Sequence, residues 1–206
     1  MTRVTTTPVI PPDPATAPWS VAPEPFDSPT ARALWRAYYT EVSDRWYLLH
    51  EGRHTEPAEL ERGIAARDGA ELTPPSGRLL VARYGGEPVG TAGVRLLDTA
   101  TAELTRVFLV PAARGRGGAA LLVAAAEDAA RGLGATRAVL DTRADLVEAR
   151  ALYARLGWTE TGPPPHNDDP YADHWFTKRL GGAAAPTAPG GPAVPTAPGG
   201  PASGHR

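Results

Sequence analysis

The sequence ELTRVFLVPAARGRGGA occupies residues 103–119 and joins two kinds of local pattern. Its first half is rich in β-branched and apolar residues, which favours a strand. Its second half contains Gly115, Gly117 and Gly118, and the alanine-rich segment that follows predicts a helix over about 117–133. The first N–H groups of a helix have no partner within the helix, and glycines let an anion approach them closely. The stretch therefore predicts a diphosphate-binding turn between a strand and a helix.

Glycines at this spacing also occur in ordinary flexible turns, so the interpretation depends on the position between a strand and a helix. The turn is not a Walker loop, because no Gly-Lys-Ser/Thr follows it. The three-glycine spacing of a Rossmann turn is also missing. A nucleotide-binding α/β protein is an alternative that these two absences disfavour.

The periodicity of the surrounding sequence predicts the other elements. A helix begins at Ser28-Pro29 and ends near His50, and the pair Asp145 and Glu148 resembles a capping box at the start of a helix that ends at Leu156. The remaining predictions are a short helix over 58–67 and strands over 78–84, 89–97, 103–110, 138–142, 158–161 and 175–180. The order is helices, an antiparallel meander, one strand-helix-strand crossover and a closing hairpin. It predicts one domain of the mixed α/β class.

Apolar residues are concentrated in the middle of this 206-residue chain. Residues 1–27 are rich in proline, and residues 181–206 are an Ala/Pro/Gly tract in which PTAPGGPA occurs twice, from Pro186 and from Pro195. Such segments bury too little apolar surface to offset their conformational entropy. We therefore expect a folded domain over 28–180 between two disordered tails, 1–27 and 181–206.

Composition excludes several classes of function. The net charge is -2 with both signs interspersed, which argues against nucleic-acid binding. No apolar run has the length of a membrane span, and the first residues do not resemble a secretory signal, so we expect a cytoplasmic protein without membrane association. The chain has no cysteine, which excludes disulfides, thiolate metal sites and a cysteine-borne acyl intermediate.

Residues 103–119 resemble the cofactor motif of the GNAT acetyltransferases, Arg/Gln-x-x-Gly-x-Gly/Ala, at Arg114, Gly117 and Ala119. Three further features match that family in order: a Gly85-Gly86-Glu87-Pro88-Val89-Gly90 hairpin, the 149–158 segment with its Leu152-Tyr153 pair, and a terminal strand containing Trp175 and Lys178. The resemblance covers about residues 77–180. It implies an acyltransferase with a mostly antiparallel central sheet, in which two strands splay apart, flanked by helices.

The resemblance also implies that acetyl-CoA is the co-substrate. Its pantetheine is expected to pair with the backbone of Val107, Phe108 and Leu109 like an added strand. Its diphosphate is expected on the backbone amides of the turn, which are those of Arg114, Gly115, Arg116, Gly117, Gly118, Ala119 and Ala120. The side chains of Arg114 and Arg116 would add positive charge. At Leu146, where many members of the family have an asparagine, the chain lacks a polar side chain for the cofactor.

Glu103 is the candidate general base. An alkyl ammonium has a pKa of roughly 10, so an amine acceptor needs a base before it becomes a nucleophile. Glu103 lies six residues before Leu109, and in a regular strand that even spacing puts both side chains on one face. The resemblance implies that a glutamate here acts as the base, often through water. The alternative is a solvated residue at a strand start.

Tyr153 is the candidate general acid. The resemblance implies that its hydroxyl approaches the thioester sulfur and protonates the leaving thiolate. The alternative is an aromatic ring that packs a helix on the sheet. Without a cysteine, we expect direct attack in a ternary complex, with backbone donors near Leu109 stabilising the oxyanion.

The first helix offers a possible wall for the acceptor. Its aromatic and acidic side chains are Trp35, Tyr38, Tyr39, Glu41, Asp44, Trp46 and Tyr47. Core packing explains several of these rings, but an aromatic and acidic wall would suit a cationic amine. We therefore expect a small-molecule or peptide amine acceptor, and a monomer or homodimer.

Two other interpretations are weaker or different in class. The group His166, Asp168, Asp169, Asp173 and His174 has metal-ligand chemistry, but the Asn-Asp-Asp-Pro sequence within it is typical of a loop turn. A non-catalytic, regulatory acyl-CoA-binding module could have the same fold without the reaction. The presence of both Glu103 and Tyr153 counts against that alternative.

Overall fold

The computed structural model describes residues 18–67, 69–164 and 170–181. The strands are β1 (Trp19–Pro23), β2 (Gly77–Tyr84), β3 (Glu87–Leu96), β4 (Thr101–Leu109), β5 (Arg137–Thr142), β6 (Thr159–Thr161) and β7 (His174–Arg179). The helices are α1 (Pro29–Glu51), α2 (Pro57–Ala66), α3 (Gly118–Gly132) and α4 (Val147–Arg155), with short 3-10 turns at Ala70–Leu72 and Pro111–Ala113. The described part of the chain has no helix long and apolar enough to cross a membrane.

The strands described here form a seven-stranded sheet in the order β1-β2-β3-β4-β5-β7-β6. The pairing of β4 with β5 is parallel and the other pairings are antiparallel. Helix α3 connects the two parallel strands, because a parallel pair needs a long crossover. The mixed α/β class and the mostly antiparallel sheet flanked by helices are confirmed.

The main core lies between one face of the sheet and α3. Four side chains of α3 are completely buried there: Leu122, Val123, Ala126 and Ala130. Their spacing of three and four residues places them on one helical face. They pack against Ala92 and Val94 of β3 and against Leu104 of β4, so every second residue of these strands faces α3.

The opposite face of the sheet is covered by α1 and the segment that follows α2. A smaller cluster there contains Ala31, Leu72 and Leu79, with Phe26 packed against it. The arginine side chain of Arg106 is 8% exposed and stacks 4.0 Å above the ring of Trp35. The sheet therefore has two differently filled faces, an apolar α3 face and a more polar α1 face.

Strand β4 contains a β-bulge at Arg106. The register pairs Thr91 with Phe108 but Gly93 with Thr105, so two residues of β4 lie opposite Ala92. Arg106 has a positive φ of 54°, which is unusual for a residue other than glycine. A bulge of this kind ends the simple alternation of side chains along the strand.

The bulge corrects one prediction about the candidate base. Leu104 and Leu109 both pack in the core on the α3 face, although they are an odd number of residues apart. Glu103 precedes the bulge and pairs with Arg95 on the α1 face. The prediction that Glu103 and Leu109 share a face is therefore wrong, because the extra residue at Arg106 inverts the alternation.

The predicted disordered tail at 1–27 is wrong for its last ten residues, 18–27. Strand β1 pairs with β2 over five residues, from Trp19 opposite Tyr84 to Pro23 opposite Leu80. Trp19 and Val21 are partly buried against the main core. The burial of these two apolar side chains and the backbone hydrogen bonds to β2 stabilise the strand despite its proline-rich composition. Residues 1–17, like 182–206 of the predicted C-terminal tail, lie outside the described residues.

Three helix ends, two of α1 and one of α3, have the residues typical of such positions. The Ser28 hydroxyl accepts a 3.0 Å hydrogen bond from the N–H of Ala31, with Pro29 as the first residue of α1. Gly52 ends α1 in the left-handed conformation, with φ 67°. Gly134 has φ 96° directly after the last turn of α3, as predicted for the glycine that stops this helix.

The predicted capping box of α4 is wrong. Leu146 occupies the N-cap position, and no side-chain cap hydrogen bond forms there. The Asp145 carboxylate instead accepts two hydrogen bonds from Arg143, at 2.8 and 2.7 Å. Glu148 pairs with Arg45 of α1. Both carboxylates therefore pair with guanidinium groups, and they do not form a capping box.

A buried carboxylate on α3 connects three segments of the chain by hydrogen bonds. Glu127 of α3 is 5% exposed and accepts hydrogen bonds from Lys178 at 2.7 and 2.9 Å and from the Trp158 indole at 3.0 Å. Lys178 also donates to the Leu156 carbonyl at 2.8 Å. A buried charge is tolerable only when it is paired and hydrogen-bonded in this way.

Candidate active site

Strands β4 and β5 diverge soon after they meet. Their register pairs only Thr101 with Arg137, Ala102 with Ala138 and Glu103 with Val139. Beyond these three pairs β4 continues to Leu109 and β5 to Thr142. The parallel strands therefore open into a cleft between them.

The edge of β4 that faces this cleft carries backbone groups of Val107 and Leu109. Val110 donates its N–H to Val89 of β3 at 2.9 Å, and backbone groups alternate between the two edges of a strand. The Phe108 carbonyl therefore points towards β3, where it lies 2.6 Å from the position that a Cβ would take at Gly90. Of the three residues predicted to pair with pantetheine, Val107 and Leu109 face the cleft and Phe108 does not.

The glycine turn lies where β4 leads into α3. Gly115 and Gly117 have φ values of 74° and 81°, and Gly117 is the N-cap of α3. No described atom lies within 4 Å of the position that a Cβ would take at either glycine. No side-chain hydrogen bond caps this helix, so the first N–H groups at Gly118, Ala119 and Ala120 remain available to an anion.

The two arginines of the turn have different surroundings. Arg114 donates two 2.7 Å hydrogen bonds to Glu41 of α1 and a 2.8 Å bond from Nε to the Leu109 carbonyl. The Arg116 guanidinium lies 5.3 Å from the centre of the Tyr84 ring. Arg114 therefore links α1 to the mouth of the cleft, while Arg116 lies on the side of β2.

Glu103 lies at the closed end of the cleft, on the α1 face. Its side chain is 17% exposed and forms an ion pair with Arg95 of β3. Its neighbour on β5 is Val139. The carboxylate is thus held by one guanidinium at the point where the two strands separate.

Tyr153 of α4 lies in the core beside the other wall of the cleft. It is 5% exposed, with ring centres 6.0 Å from Trp158 and 5.7 Å from Phe176. Burial raises the pKa of Tyr153 well above its ordinary value of 10.0. Tyr38 and Asp141 raise it further through their charges. The phenol is therefore neutral across the physiological pH range.

Asp141 of β5 is a candidate that the sequence analysis did not identify. It lies two residues beyond Val139, on the same face of the strand as Val139 and beyond Glu103 in the opening direction. Burial raises the pKa of Tyr38, and the charge of Asp141 raises it further. A charged residue within the otherwise apolar 138–142 strand was the available signal.

Residues 31–158 match the model of the acetyltransferase (GNAT) family. This chain belongs to the GNAT acetyltransferase family. The matched range contains the cleft, the glycine turn, Glu103 and Tyr153. The family resemblance of residues 103–119 is therefore confirmed.

Two curated relatives match part of this GNAT chain. YjgM, an uncharacterized N-acetyltransferase of Escherichia coli strain K12, is 41% identical over 81 residues, which are 38% of this chain and 48% of YjgM. The IAA acetyltransferase of Azospirillum brasilense is 36% identical over 102 residues, which are 48% of this chain and 66% of that protein. The chain thus spans about half of the length of YjgM and 66% of the length of the IAA acetyltransferase.

Solved structures of GNAT proteins have the same fold. The PaiA N-acetyltransferase of Thermoplasma acidophilum, solved in complex with coenzyme A, aligns with a TM-score of 0.59 at 14% identity. The alignment covers 79% of this chain and 99% of the PaiA chain. At this level of identity the likeness establishes the arrangement of strands and helices.

The aromatic side chains predicted to line the acceptor site of this GNAT domain are mostly engaged elsewhere. Trp46 stacks on His50 at 4.6 Å, and Tyr47 lies under Arg53 at 4.1 Å. Trp35 donates a hydrogen bond to the Ile64 carbonyl, and Tyr39 lies close to Gly63. Both side chains therefore pack α1 against α2 and the sheet. Tyr38 also faces β4, with its ring 5.7 Å from that of Phe108.

The acidic residues of α1 also have partners within the chain. Asp44 accepts a 2.9 Å hydrogen bond from the N–H of Thr55 and pairs with His54 at 3.0 Å. Glu41 pairs with Arg114 at the cleft mouth. Asp44 therefore orders the loop after α1, and only Glu41 lies near the predicted cofactor turn.

The weakly supported metal group is not assembled among the described residues. Asp173 accepts a hydrogen bond from Ala144, and His174 pairs with Glu160 at 2.5 Å. The other three members, His166, Asp168 and Asp169, lie outside the described residues. No cluster of potential ligands for a metal ion occurs in the described part.

Proposed function

We propose that this protein transfers the acetyl group of acetyl-CoA to the amine of a small-molecule or peptide acceptor, by direct attack in a ternary complex. The observation that carries the proposal is the cleft between β4 and β5. Glu103 lies at its closed end and the glycine turn at its open end. Membership of the GNAT acetyltransferase family supports the type of reaction.

The chain's own groups fit an acyl-CoA at this cleft. Val107 and Leu109 offer the strand edge that faces the cleft to the amide groups of pantetheine. The backbone amides from Arg114 to Ala120 are proposed to hold the diphosphate, and the open space at Gly115 and Gly117 permits its approach. Arg114 and Arg116 are proposed to add positive charge, and Arg114 must share or release the Leu109 carbonyl when pantetheine pairs there.

Glu103 is proposed as the general base. It accepts a proton from the acceptor ammonium, directly or through one water, and the neutral nitrogen then attacks the thioester carbonyl. The C–N bond forms as the C–S bond breaks, and backbone N–H donors near Leu109 stabilise the negative charge on the oxygen. Asp141, farther along the same face, is placed to attract the cationic acceptor before it loses its proton.

Tyr153 is proposed as the general acid. Its raised pKa keeps the hydroxyl protonated, which is the form that donates a proton to the departing thiolate. The tyrosinate is then reprotonated, and the proton held by Glu103 and the second proton of the acetylated nitrogen pass to solvent, so that the net reaction releases one proton and the enzyme returns to its first state. The charges of Tyr38 and Asp141 also raise the pKa of Tyr153, which supports the proposal that the acid acts at the same cleft as the base.

A non-catalytic acyl-CoA-binding module is the second candidate function. The ion pair of Glu103 with Arg95 favours it, because the carboxylate is already engaged by a guanidinium within the chain. The Leu109 carbonyl, which would pair with pantetheine, also accepts a hydrogen bond from Arg114. In such a module acetyl-CoA would bind and the acetyl group would stay on it.

Two measurements separate these functions. The melting temperature of the protein, measured with acetyl-CoA and with ATP, tests which of the two binds. Only acetyl-CoA is expected to raise the melting temperature. A panel of amines with a free-thiol readout for released CoA tests the reaction. Thiol release that depends on one class of amine supports the transferase, whereas stabilisation by acetyl-CoA without release from any amine supports the binding module.

A further inference from the structure

The indole of Trp19 contacts the glycine turn from outside the predicted domain. Trp19 is the first residue of β1, where it pairs with Tyr84 of β2, and the two rings lie 4.9 Å apart. Its Nε1 donates a 3.0 Å hydrogen bond to the Arg116 carbonyl. Ninety-seven residues separate the two partners in sequence. The edge strand β1 is thus joined to the turn that precedes α3.

The ring of Trp19 also explains why position 118 of the turn is a glycine. A Cβ at Gly118 would lie 2.2 Å from the Trp19 ring, a distance at which atoms overlap. The same test at Gly115 and Gly117 finds no described atom within 4 Å. Gly118 is therefore required by the packing of Trp19, while the other two glycines leave space open on the ligand side.

The hydrogen bond to Arg116 fixes the direction of a backbone amide. The carbonyl of Arg116 and the N–H of Gly117 belong to one planar trans peptide and point in opposite directions. Because the carbonyl points at Trp19, the Gly117 N–H points away from β1. That N–H is one of the donors proposed for the diphosphate.

We propose that Trp19 is a positioning residue for the diphosphate of acyl-CoA: its indole holds the Arg116–Gly117 peptide and the start of α3 in the orientation that binds the anion. The proposal rests on the proposed function, because it takes the turn as the diphosphate site. It extends that site to β1. A turn with two positive-φ glycines is otherwise flexible, and preorganisation lowers the entropy that ligand binding must offset.

Trp19 and Tyr84 also orient the side chain of Arg116. Tyr84, which packs on Trp19, lies under the Arg116 guanidinium at 5.3 Å. A cation over an aromatic face is held weakly and can still turn towards a phosphate. Trp19 and Tyr84 thus order both the backbone and the charged side chain of this residue.

The test uses the full chain and two probes, CoA and S-acetylpantetheine, which lacks the diphosphate. Trp19→Phe retains an aromatic ring over Gly118 and deletes the indole N–H. We expect the dissociation constant for CoA, measured by calorimetry, to rise about threefold to tenfold, as for one hydrogen bond. Binding of S-acetylpantetheine should not change, because it makes no contact with the turn.

Trp158→Phe is the matched control. It removes another indole hydrogen bond of 3.0 Å, to Glu127, but at the opposite end of α3. We expect it to lower the melting temperature and leave the ratio of CoA to S-acetylpantetheine affinity as in the wild type. A purely structural role for Trp19 would give Trp19→Phe the same result as this control.

A steric pair gives an independent second test. Gly118→Ala should weaken CoA binding, because the new Cβ collides with the Trp19 ring, and the added change Trp19→Ala should relieve the collision. The double variant should therefore bind CoA no more weakly than Trp19→Ala alone. Equal CoA affinity of the wild type, Trp19→Phe and Gly118→Ala would overturn the positioning role alone, whereas a wild type that does not bind CoA would overturn the proposed function.

Discussion

Glu103 of β4 and Arg95 of β3 are register partners, and Arg95 Nε donates a hydrogen bond to the Glu103 carboxylate on the α1 face of the sheet. The ion pair lies beside the point where β4 leaves β5. A β-bulge at Arg106 separates it from the cofactor edge at Leu109. The carboxylate therefore lies on the α1 face of the sheet, opposite to the α3 core.

Replacing Glu103 by Gln should lower turnover and leave CoA affinity unchanged. General-base catalysis contributes about 10²- to 10⁴-fold, and glutamine cannot accept the proton at neutral pH. Turnover is measured by thiol release with the acceptor identified in the amine panel. Glu160→Gln, which changes a carboxylate paired with His174 near the edge of the sheet, serves as the control. Unchanged turnover in Glu103→Gln between about pH 6 and pH 9 would transfer the base role to Asp141 or to solvent.

Replacing Gly117 by Val should abolish the stabilisation of the protein by acetyl-CoA. A side chain there fills the open space above the amides, and valine is also strained at a φ of 81°. Gly52→Val is the matched control, because it puts the same residue at a φ of 67° at the end of α1. Both variants should melt at lower temperature, but only Gly52→Val should be stabilised by acetyl-CoA. Equal stabilisation of both would remove the diphosphate from this turn.

The Tyr153→Phe variant separates packing from chemistry. It keeps the ring between Trp158 and Phe176 and deletes the hydroxyl. We expect turnover to fall at least about tenfold with little change in melting temperature, and the loss to shrink for a donor with a better leaving group. A variant that melts several degrees lower and turns over normally would identify Tyr153 as a packing residue only.

Stability should fall at alkaline pH, and Tyr153 should contribute to the fall. An unfolded tyrosine loses its proton near pH 10.0, whereas burial keeps the pKa of Tyr153 above that value in the folded state. The unfolded state then binds fewer protons, so the free energy of unfolding decreases as the pH rises past 10, by up to about 1.4 kcal/mol per pH unit for one group. Urea unfolding at about pH 9 and about pH 11 should show a smaller decrease for Tyr153→Phe than for the wild type. Identical decreases would contradict the buried, neutral phenol.

Replacing Glu127 by Ala should be strongly destabilising. It leaves the Lys178 ammonium and the Trp158 N–H without their acceptor, which we expect to cost about 2–4 kcal/mol in the free energy of unfolding. Asp128→Ala is the control, because that neighbouring side chain is 77% exposed and its ion pair with Arg131 is on the surface. Chemical denaturation measures both. A cost below about 1 kcal/mol for Glu127→Ala would show that Lys178 finds water or another acceptor.

The sequence alone determined the elements whose patterns are local. The helix start at Ser28-Pro29, the stop of α3 before Gly134 and the strand that leads into the glycine turn each depend on residues within a few positions of one another. The family resemblance over about residues 77–180 is of the same kind, because each of its motifs is a short stretch of sequence. For these reasons the fold class and the position of the candidate cofactor turn could be predicted.

Tertiary structure decided the features that depend on a partner far away in sequence. The bulge at Arg106 exists only relative to Ala92 of β3, so no periodicity within β4 reveals that Glu103 and Leu109 face opposite sides. Asp145 and Glu148 do not form the predicted capping box, and Arg143 and Arg45 pair with these two carboxylates. These outcomes depend on competition between contacts, which a local pattern does not contain.

The role of β1 is the clearest case of this difference. Composition alone makes residues 18–27 resemble a proline-rich tail, but Trp19 lies against Gly118 and bonds to the Arg116 carbonyl, ninety-seven residues away. The sequence by itself determined that a glycine turn precedes α3, because glycine conformation and helix ends are local properties. Only the folded sheet determined what holds that turn in place, because a hydrogen bond between distant residues forms only after the chain has brought them together.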